Sequence, residues 1–264
     1  MESITFAFPW EIIIITWLQS IDNPLLVGLA GFITEFGEET FLILILGFIY
    51  WCWNKEMGKY AGLNLLAGIV FLTMFKNIFL RRRPYFDHEE VKCLRKPVAD
   101  ADMYDISKQS YSFPSGHATN SMTLYGSIAW FIRKRWAFIA AAIVIALVGL
   151  SRIYLGNHYP TDILAGWVIG LVVIAISSLL QKWLKSPIKA SLVIIILAVP
   201  GWFFCQSEDY FSNFGMLAAV PLEFWLEEKY IKFENVHKLL PIICRFVVGI
   251  ALFVGLNYLL KIVA

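Results

Sequence analysis

The stretch "SRIYLGNHYPTD" (151–162) joins two apolar runs, "AFIAAAIVIALVGL" (137–150) and "ILAGWVIGLVVIAI" (163–176). A helix that crosses a bilayer needs about 20 mostly apolar residues, so both runs have membrane-spanning character. The chain as a whole is 59% hydrophobic and 16% charged, whereas soluble domains contain roughly 25% charged residues. This composition predicts an integral membrane protein and excludes an ordinary soluble globular domain.

Several further stretches have the length and hydropathy of helical segments, and none shows the alternating pattern of an outer-membrane barrel. The first candidate is interrupted by "QSIDNP" (19–24), so residues 10–20 could lie along the interface while 24–36 enter the bilayer. The predicted fold is all-α, a polytopic transmembrane helical bundle. Its candidate segments are 10–36, 39–54, 57–80, 115–132, 136–156, 161–183, 188–206, 210–228 and 240–262.

Basic residues distinguish the two ends of this bundle. Turns on one side are rich in lysine and arginine, at 55–59, 133–135, 182–189 and 229–238. The turns on the other side, 34–39, 156–161 and 207–213, hold neither residue. Because cytoplasmic turns are enriched in lysine and arginine, the basic turns are predicted to be cytoplasmic. The long connection 81–114 then lies outside the cell.

A first polar cluster, "KNIFLRRRP" (76–84), precedes this connection. Lys76 and Arg83 are about two helical turns apart, so both side chains can project from one face toward the outer surface. Arg81 and Arg82 are interpreted as snorkelling side chains at a helix end. Snorkelling alone would explain the whole cluster, but positive charge is not expected on the outer side.

A second cluster, "YSFPSGHATNS" (111–121), opens the next apolar segment. Ser115 is a good N-cap, and Gly116 lets another group approach the backbone closely. The free amides at a helix start attract anions, and His117 in the first turn could exchange a proton with a bound ligand. In isolation, a plain helix start with an incidental histidine explains this stretch equally well.

The third cluster is the opening stretch itself. Arg152 closes one helix, and Pro160 suits the first turn of the next. His158 then lies just before that helix and Asp162 in its first turn, within reach of one ring nitrogen of His158. Such a contact would fix the tautomer and leave the other nitrogen as a nucleophile. A carboxylate that complements the helix dipole would explain Asp162 alone.

In the predicted topology the three clusters emerge on one side of the membrane. Their cations and helix-start amides suit a tetrahedral oxyanion, most simply a phosphate. One histidine could attack phosphorus while the other protonates the departing oxygen. The sequence offers neither a carboxylate cluster for Mg²⁺ nor a His/Cys ligand set, so no metal and no cofactor are expected.

Together the clusters resemble the three-part signature of the type 2 phosphatidic acid phosphatase (PAP2) superfamily, which also includes vanadium haloperoxidases and bacterial acid phosphatases. The matching motifs are Lys76–(six residues)–Arg83–Pro84, Pro114–Ser115–Gly116–His117 and Ser151–Arg152–(five residues)–His158–(three residues)–Asp162. The resemblance covers roughly 60–185. It implies a six-helix core with N-terminal helices at 1–206, followed by additional transmembrane helices at 207–264 that have no assigned role.

The resemblance also implies phosphohistidine chemistry. His158 would be the nucleophile, His117 the acid and then the base for water, and Asp162 the residue that orients His158. The phosphoryl oxygens would be held by Lys76, Arg83, Ser115, Gly116 and Arg152.

These features predict a phosphatase of the bacterial plasma membrane that cleaves lipid phosphate or diphosphate monoesters on the outer face. Its partners would be the bilayer and a membrane lipid such as phosphatidate, phosphatidylglycerol phosphate or undecaprenyl diphosphate, and no nucleic acid. A lipid-linked phosphotransferase, a glucose-6-phosphatase-like enzyme and an anion or lipid transporter are the alternatives. The transporter is disfavoured because the sequence shows neither an inverted repeat nor an unwound mid-membrane helix. A haloperoxidase is disfavoured because membrane embedding favours an amphiphilic substrate.

Other distinctive residues are interpreted mainly as structural. Gly166 and Gly170 form a pair of small residues that lets helices approach closely. Arg245 lies inside an apolar run and faces the bundle or an inner cavity, with structural and functional roles equally open. His88 and His237 are interpreted as loop residues.

Overall fold

The structure of the 264-residue chain is a computed structural model. It describes residues 6–21, 23–235 and 238–263, so the prediction for His237 lies outside the described residues. The described residues form helices joined by turns and contain no β-strand. The all-α prediction is therefore confirmed.

The helices follow the predicted segments to within a few residues, and short 3₁₀ or π turns extend α2, α3, α10 and α11 at Glu35–Gly37, Ile49–Trp53, Val199–Phe203 and Glu227–Ile231. The interruption of the first segment is present, because the helices on either side of it meet at 119°. The α-helices are α1 (Pro9–Gln19), α2 (Pro24–Thr34), α3 (Glu39–Phe48), α4 (Lys55–Phe79), α5 (Pro84–Asp87), α6 (Ile106–Gln109), α7 (Gly116–Ile132), α8 (Arg135–Tyr154), α9 (Pro160–Leu184), α10 (Pro187–Ala198), α11 (Glu208–Leu226) and α12 (Leu239–Val263).

Among the described residues, four helices are long and apolar enough to cross a membrane by themselves: Lys55–Asp87, Arg135–Tyr154, Pro160–Leu184 and Leu239–Leu256. The bent pair of α1 and α2 would make a fifth span. The helices at Glu39–Trp53 and Pro187–Phe203 are apolar but shorter. This arrangement is that of a multi-pass membrane protein.

Helix α7 lies at the centre of the bundle, between α4, α8 and α9. It is more polar than its neighbours because its hydroxyl side chains face the protein interior. Thr119, Ser121 and Thr123 are buried and donate hydrogen bonds to backbone carbonyls of the same helix. Ser127 accepts a hydrogen bond from the Asn64 amide of α4 at 2.8 Å. Polar groups satisfied in this way avoid contact with lipid, so a central helix tolerates them.

Helix α9 packs closely on α7 through two glycines. A Cβ on Gly166 would lie 2.8 Å from the carbonyl oxygen of Ser115, and one on Gly170 would lie 2.6 Å from Cγ of Met122. A larger residue at either position would push the helices apart, which confirms the close approach predicted for this pair. The contact at Ser115 places the start of α7 beside the first turns of α9.

Helix α11 packs directly on α4 and α10, although the division of the chain at residue 206 remains a prediction. Tyr210, Leu217 and Phe224 share one hydrophobic cluster with residues of α4 and α10. Beyond α11, Glu227 forms ion pairs of 2.8 Å with Lys55 and 2.6 Å with Lys59. The same α4 that carries Lys76 at its far end therefore anchors the C-terminal helices.

Arg245 of α12 is partly exposed and lines a cavity that opens to the surface of the bundle. The cavity has a volume of about 630 Å³, and Tyr50, Trp51 and Glu223 also line it. Nη1 of Arg245 donates to the carbonyl oxygen of Glu234 at 2.7 Å. Because Tyr50 and Glu234 lie in the basic-turn end of the bundle, this cavity is remote from the predicted site.

Candidate active site

The three predicted clusters come together at one end of the bundle, where α4 and α8 end and α7 and α9 begin. The backbone N–H of Ser115 donates to the carbonyl oxygen of Asp162 at 3.0 Å, which joins the starts of α7 and α9. Around this junction Arg83, Arg152 and Asp162 are buried, while Lys76 and His117 are partly exposed. The site therefore opens on the side of Lys76 and His117.

The imidazole of His158 is 2% exposed and has a defined tautomer. Its Nε2 lies 3.3 Å from Nη1 of Arg83. A guanidinium has no acceptor, so Nε2 must accept from Arg83 and the ring proton lies on Nδ1. The lone pair of Nε2 thus faces the cationic side of the site, as a nucleophile for an anionic ligand requires.

The pKa of His158 is well below its usual value because burial disfavours the charged ring, and the positive charges of Arg83, Arg152 and Lys76 act in the same direction. The imidazole is consequently neutral at ordinary pH, with its nucleophilic lone pair available.

The contact between His158 and Asp162 differs from the predicted direct bond. Nδ1 of His158 is 3.5 Å from Oδ2 of Asp162, and the hydroxyl of Ser112 lies beside both. Ser112 Oγ donates to Asp162 Oδ2 at 2.5 Å and is 3.3 Å from His158 Nδ1, from which it accepts. Asp162 therefore orients His158 together with Ser112, a residue that the sequence interpretation did not include.

Arg81 is a buried part of this network, so its interpretation as a snorkelling side chain is wrong. It is 1% exposed and donates from Nη1 to Oδ1 of Asp162 at 2.6 Å. Its Nη2 donates to Oε2 of Glu11 in α1 at 2.8 Å, and its guanidinium carbon lies 3.7 Å from the ring centre of Tyr159. Two carboxylates and an aromatic face hold this charge in the interior, because a buried cation needs partners. Arg82, in contrast, is partly exposed and pairs with Asp87.

Two buried arginines and one lysine line the cationic side of the site. Arg83 is fixed by the carbonyl oxygens of Gln109, at 2.7 Å from Nη2, and Asn157, at 3.0 Å from Nη1. Arg152 donates from Nη1 to the hydroxyl of Thr34 at 3.1 Å, while its buried Nε has no hydrogen-bond partner among the described residues. A buried donor without a partner is costly, and a bound oxyanion would satisfy it.

Lys76 completes this set of cations at the end of α4. Its Nζ lies 3.3 Å from the hydroxyl of Ser110, a neutral partner. The ammonium group therefore keeps donors for a ligand oxygen.

The start of α7 supplies backbone donors to the same space. Ser115 is the N-cap of α7, and its hydroxyl accepts from the amide of Ala118 at 3.4 Å. Gly116, the first residue of the helix, is partly exposed, and the nearest atom to a Cβ built there would be Leu72 Cδ2 at 3.5 Å. Neighbouring protein atoms thus leave ordinary van der Waals room beside Gly116, at a helix start of the kind that can hold an anion.

His117 lies in the first turn of α7, across from the buried histidine. Its Nε2 is 3.0 Å from Oε2 of Glu38, which belongs to the turn between α2 and α3. The structure therefore brings all eight predicted residues to one site, and it adds residues from α1 and from the α2–α3 turn.

The sequence interpretation missed Ser112, Glu11, Thr34 and Glu38. Glu11 could have been identified from the sequence as a residue with a buried partner, because an isolated carboxylate within the apolar run "WEIIIIT" is unusual in a membrane protein. No sequence feature identifies Ser112, Thr34 or Glu38, since their contacts depend on how distant segments pack.

The fold and the site define a multi-pass helical protein with a basic, histidine-containing site at one end of the bundle. Residues 58–186 match the PAP2 superfamily. The chain is 39% identical over 161 residues to phosphatidylglycerophosphatase B of Bacillus subtilis, covering 58% of this chain and 73% of that protein. It is 31% identical over 154 residues to undecaprenyl-diphosphatase BcrC of the same organism, covering 57% and 72%.

A solved structure shows the same relationship. The crystal structure of the first transmembrane PAP2-type phosphatidylglycerolphosphate phosphatase from Bacillus subtilis is similar at a TM-score of 0.51 and 27% identity, covering 63% of this chain and 81% of that one. The chain belongs to the PAP2 superfamily, as the three sequence motifs predicted.

Proposed function

We propose that this protein is a membrane phosphatase that hydrolyses a lipid phosphate or diphosphate monoester through a phosphohistidine intermediate. The observation that carries the proposal is the state of His158. Its Nε2 lone pair faces Arg83, while its Nδ1 proton is held by Ser112 and Asp162. An oriented, neutral imidazole beside buried cations is suited to attack an electrophilic phosphorus.

In the first step, Nε2 of His158 forms a bond to phosphorus while the bond between phosphorus and the lipid oxygen breaks. His117 donates its proton to that leaving oxygen. In the second step, a water molecule gives a proton to His117 and attacks phosphorus, the phosphorus–nitrogen bond breaks, and inorganic phosphate leaves. Both histidines return to their starting protonation states.

The remaining residues stabilise charge during both steps. Lys76, Arg83 and Arg152, with the first amides of α7, are placed to hold the phosphoryl oxygens, and the unpartnered Nε of Arg152 supports this role. Asp162 balances the positive charge that develops on His158 when it is phosphorylated. Since these cations supply the electrostatic stabilisation, the reaction is proposed to be independent of metal ions.

A lipid substrate is supported by the surroundings of the entrance. Phe75 and Phe79, on either side of Lys76 in α4, are 38% and 37% exposed, so apolar surface adjoins the cationic site. A substrate anchored in the bilayer keeps its chain in hydrocarbon, which contributes roughly 0.8 kcal/mol per buried CH₂. The related proteins are a phosphatidylglycerophosphatase and an undecaprenyl-diphosphatase, and substrates of these two kinds are the leading candidates.

The proposed location is the bacterial plasma membrane, with the site on its outer face. The end of the bundle that carries the site is opposite the turns rich in lysine and arginine, near Lys55, Arg133 and Lys185. Positive residues favour the cytoplasmic side, which supports an extracytoplasmic site.

Trapping of the intermediate tests the proposal. Detergent-solubilised protein is exposed briefly to ³²P-labelled phosphatidate or phosphatidylglycerol phosphate in EDTA and quenched in alkali. The wild type should carry an alkali-stable label on the peptide that contains His158, and the His158→Ala variant should carry none and lose turnover. Near-normal turnover of His158→Ala, or strict dependence on added Mg²⁺, would refute the mechanism.

Substrate competition in matched micelles tests the lipid half of the proposal separately. We expect kcat/KM for a lipid phosphate or polyprenyl diphosphate to exceed that for glucose 6-phosphate by at least about tenfold, equivalent to about 1.4 kcal/mol in transition-state binding. Equal values would remove the lipid assignment and leave the phosphohistidine mechanism intact.

A further inference from the structure

The turn between α2 and α3 contacts the active site, although it lies outside the segment 58–186 that matches the PAP2 superfamily. Thr34, at the end of α2, accepts a hydrogen bond from Nη1 of Arg152 at 3.1 Å. Four residues later, Oε2 of Glu38 lies 3.0 Å from Nε2 of His117. One short turn therefore reaches both an anion-binding arginine and the proposed acid histidine.

This turn is fixed against α7, so the position of Glu38 is defined by packing. A Cβ on Gly37 would lie 3.0 Å from Cβ of His117 and 2.8 Å from Cγ1 of Val148, which shows how closely the turn approaches both helices. The hydroxyl of Tyr125, two turns along α7, donates to the carbonyl oxygen of Phe36 at 2.9 Å. Glu38 is thus held beside His117 by contacts that do not involve its own side chain.

The charged groups around His117 oppose one another. Burial and the positive charges of Arg152 of α8 and Arg83 before α5 disfavour a proton on its ring, and Glu38 favours one. His158, before α9, also faces it. The pKa of Glu38 is lowered, chiefly by its hydrogen bond with His117, so this carboxylate is ionised at neutral pH. A general acid must hold a proton when substrate arrives, and among basic neighbours that proton needs an anionic partner.

We infer that Glu38 is a positioning residue for the acid histidine: it accepts a hydrogen bond from Nε2–H, favours the protonated ring against burial and the nearby arginines, and leaves Nδ1 to serve the leaving oxygen. The contact with Glu38 occupies Nε2, so Nδ1 is the ring nitrogen that remains for the leaving oxygen. The inference rests on the proposed function.

The proton balance follows from this assignment. As the bond between phosphorus and the lipid oxygen breaks, Nδ1–H of His117 gives its proton to that oxygen, and the ring becomes neutral. The attacking water then returns a proton to Nδ1. Glu38 remains ionised throughout and bonds to the same Nε2–H in both steps.

The test compares leaving groups in Glu38→Gln. An alkyl phosphate needs a proton on its leaving oxygen, whereas p-nitrophenyl phosphate releases a stable phenolate without one. We expect kcat for phosphatidate to fall about 10- to 100-fold, as for partial loss of general acid catalysis. For p-nitrophenyl phosphate kcat should fall less than about threefold. With phosphatidate, the alkaline limb of the kcat–pH profile should also move to lower pH.

Glu35→Gln is the matched control, because Glu35 lies in the same turn and pairs with Arg95 instead of His117. This partly exposed pair should matter little to activity. In the double variant Glu38→Gln/His117→Ala, the loss should equal that of His117→Ala alone, because Glu38 acts through His117.

Three outcomes would overturn the inference. Equal losses for both substrates would show that the substitution loosens the site generally. A lower KM with an unchanged or higher kcat would show that Glu38 occupies the phosphate position in the empty site. Additive losses in the double variant would show that Glu38 acts independently of His117. A failure of the proposed function itself would appear differently, as turnover that survives His158→Ala.

Discussion

Ser112 lies between Asp162 and His158, with its hydroxyl 2.5 Å from Oδ2 of Asp162 and 3.3 Å from Nδ1 of His158. The carboxylate also accepts hydrogen bonds from Arg81 and from the backbone amide of Tyr159. Orientation of the imidazole is therefore shared between a hydroxyl and a carboxylate that is itself held in place. Substitution of Ser112 can measure the contribution of the hydroxyl separately from that of the carboxylate.

Ser112→Ala should lower kcat by about 10- to 100-fold, because a hydrogen bond to a charged group contributes roughly 1.5–3 kcal/mol. KM should change little, since Ser112 lies behind the imidazole and away from the anion-binding side. Steady-state kinetics on a lipid phosphate measure both values, with Ser110→Ala as a control that removes a neighbouring hydroxyl on the side of Lys76. Unchanged kcat in Ser112→Ala would mean that Asp162 orients His158 without help.

Glu11→Ala should destabilise the protein by about 3–5 kcal/mol, because it leaves the buried Arg81 with one of its two carboxylate partners. The melting temperature in detergent should fall accordingly, by several degrees. Asp87→Ala breaks the partly exposed pair with Arg82 and should cost about 1 kcal/mol or less. Similar losses in the two variants would argue against the central role of the Glu11–Arg81 pair.

Gly116→Ala should impair phosphate binding without unfolding the protein. A methyl group at this position would meet Leu72 Cδ2 at 3.5 Å, an ordinary contact, so the fold has room for it. The same methyl group would narrow the space at the start of α7, where the phosphate is proposed to lie. We expect kcat/KM to fall at least about tenfold with an unchanged melting temperature, and a proportional loss of stability would contradict this interpretation.

The rate should remain high below the ordinary histidine pKa of about 6.5. The neutral form of His158 is the proposed nucleophile, and burial together with Arg83 keeps its pKa well below that value. The acid limb of kcat/KM should therefore appear at low pH in the wild type. Arg83→Gln removes a nearby positive charge and should raise the pKa of His158. The acid limb of the residual activity should therefore move to higher pH. Arg82→Gln, measured with the same substrate, should leave the limb where it was.

Single cysteines in a background without native cysteines test the orientation in the membrane. Cysteines at residues 90 and 209, at the site end of the bundle, should react with an impermeant thiol reagent in intact cells. A cysteine at residue 134, in a basic turn, should react only after lysis. The opposite labelling pattern would place the site in the cytoplasm.

The three motif segments could be predicted from the sequence because each one is local. Spacing within a helix end predicts which residues share a face, as for Lys76 and Arg83. Residue types such as Ser115 and Pro160 indicate where a helix begins. The direct bond between Asp162 and His158 was predicted from the same reasoning, and local spacing could not reveal that Ser112 would come between them.

The supporting residues could not be predicted because their partners are remote in the chain. In the sequence, Arg81 has the pattern of an ordinary charged residue at a helix end. Its partner Glu11 belongs to α1 and is 70 positions away in the chain. Thr34 and Glu38 meet Arg152 and His117 only after α2 has packed on α8 and the following turn on α7. Such contacts are properties of the tertiary structure, and a single sequence contains no periodicity that reports them.

During biogenesis, α7 is expected to need its neighbours in order to enter the bilayer, because it is not one of the described helices that are long and apolar enough to cross a membrane by themselves. Its 17 residues include the buried Thr119, Asn120, Ser121 and Thr123, so as an isolated segment it would partition poorly from the translocon into lipid. Only two residues separate α7 from the strongly apolar α8, so these two helices can insert together as a hairpin. The polar face of α7 is then covered when α4 and α9 pack against it. The helix that carries His117 in its first turn would then be among the last to reach its final position, and the site would assemble only once the whole bundle is in place.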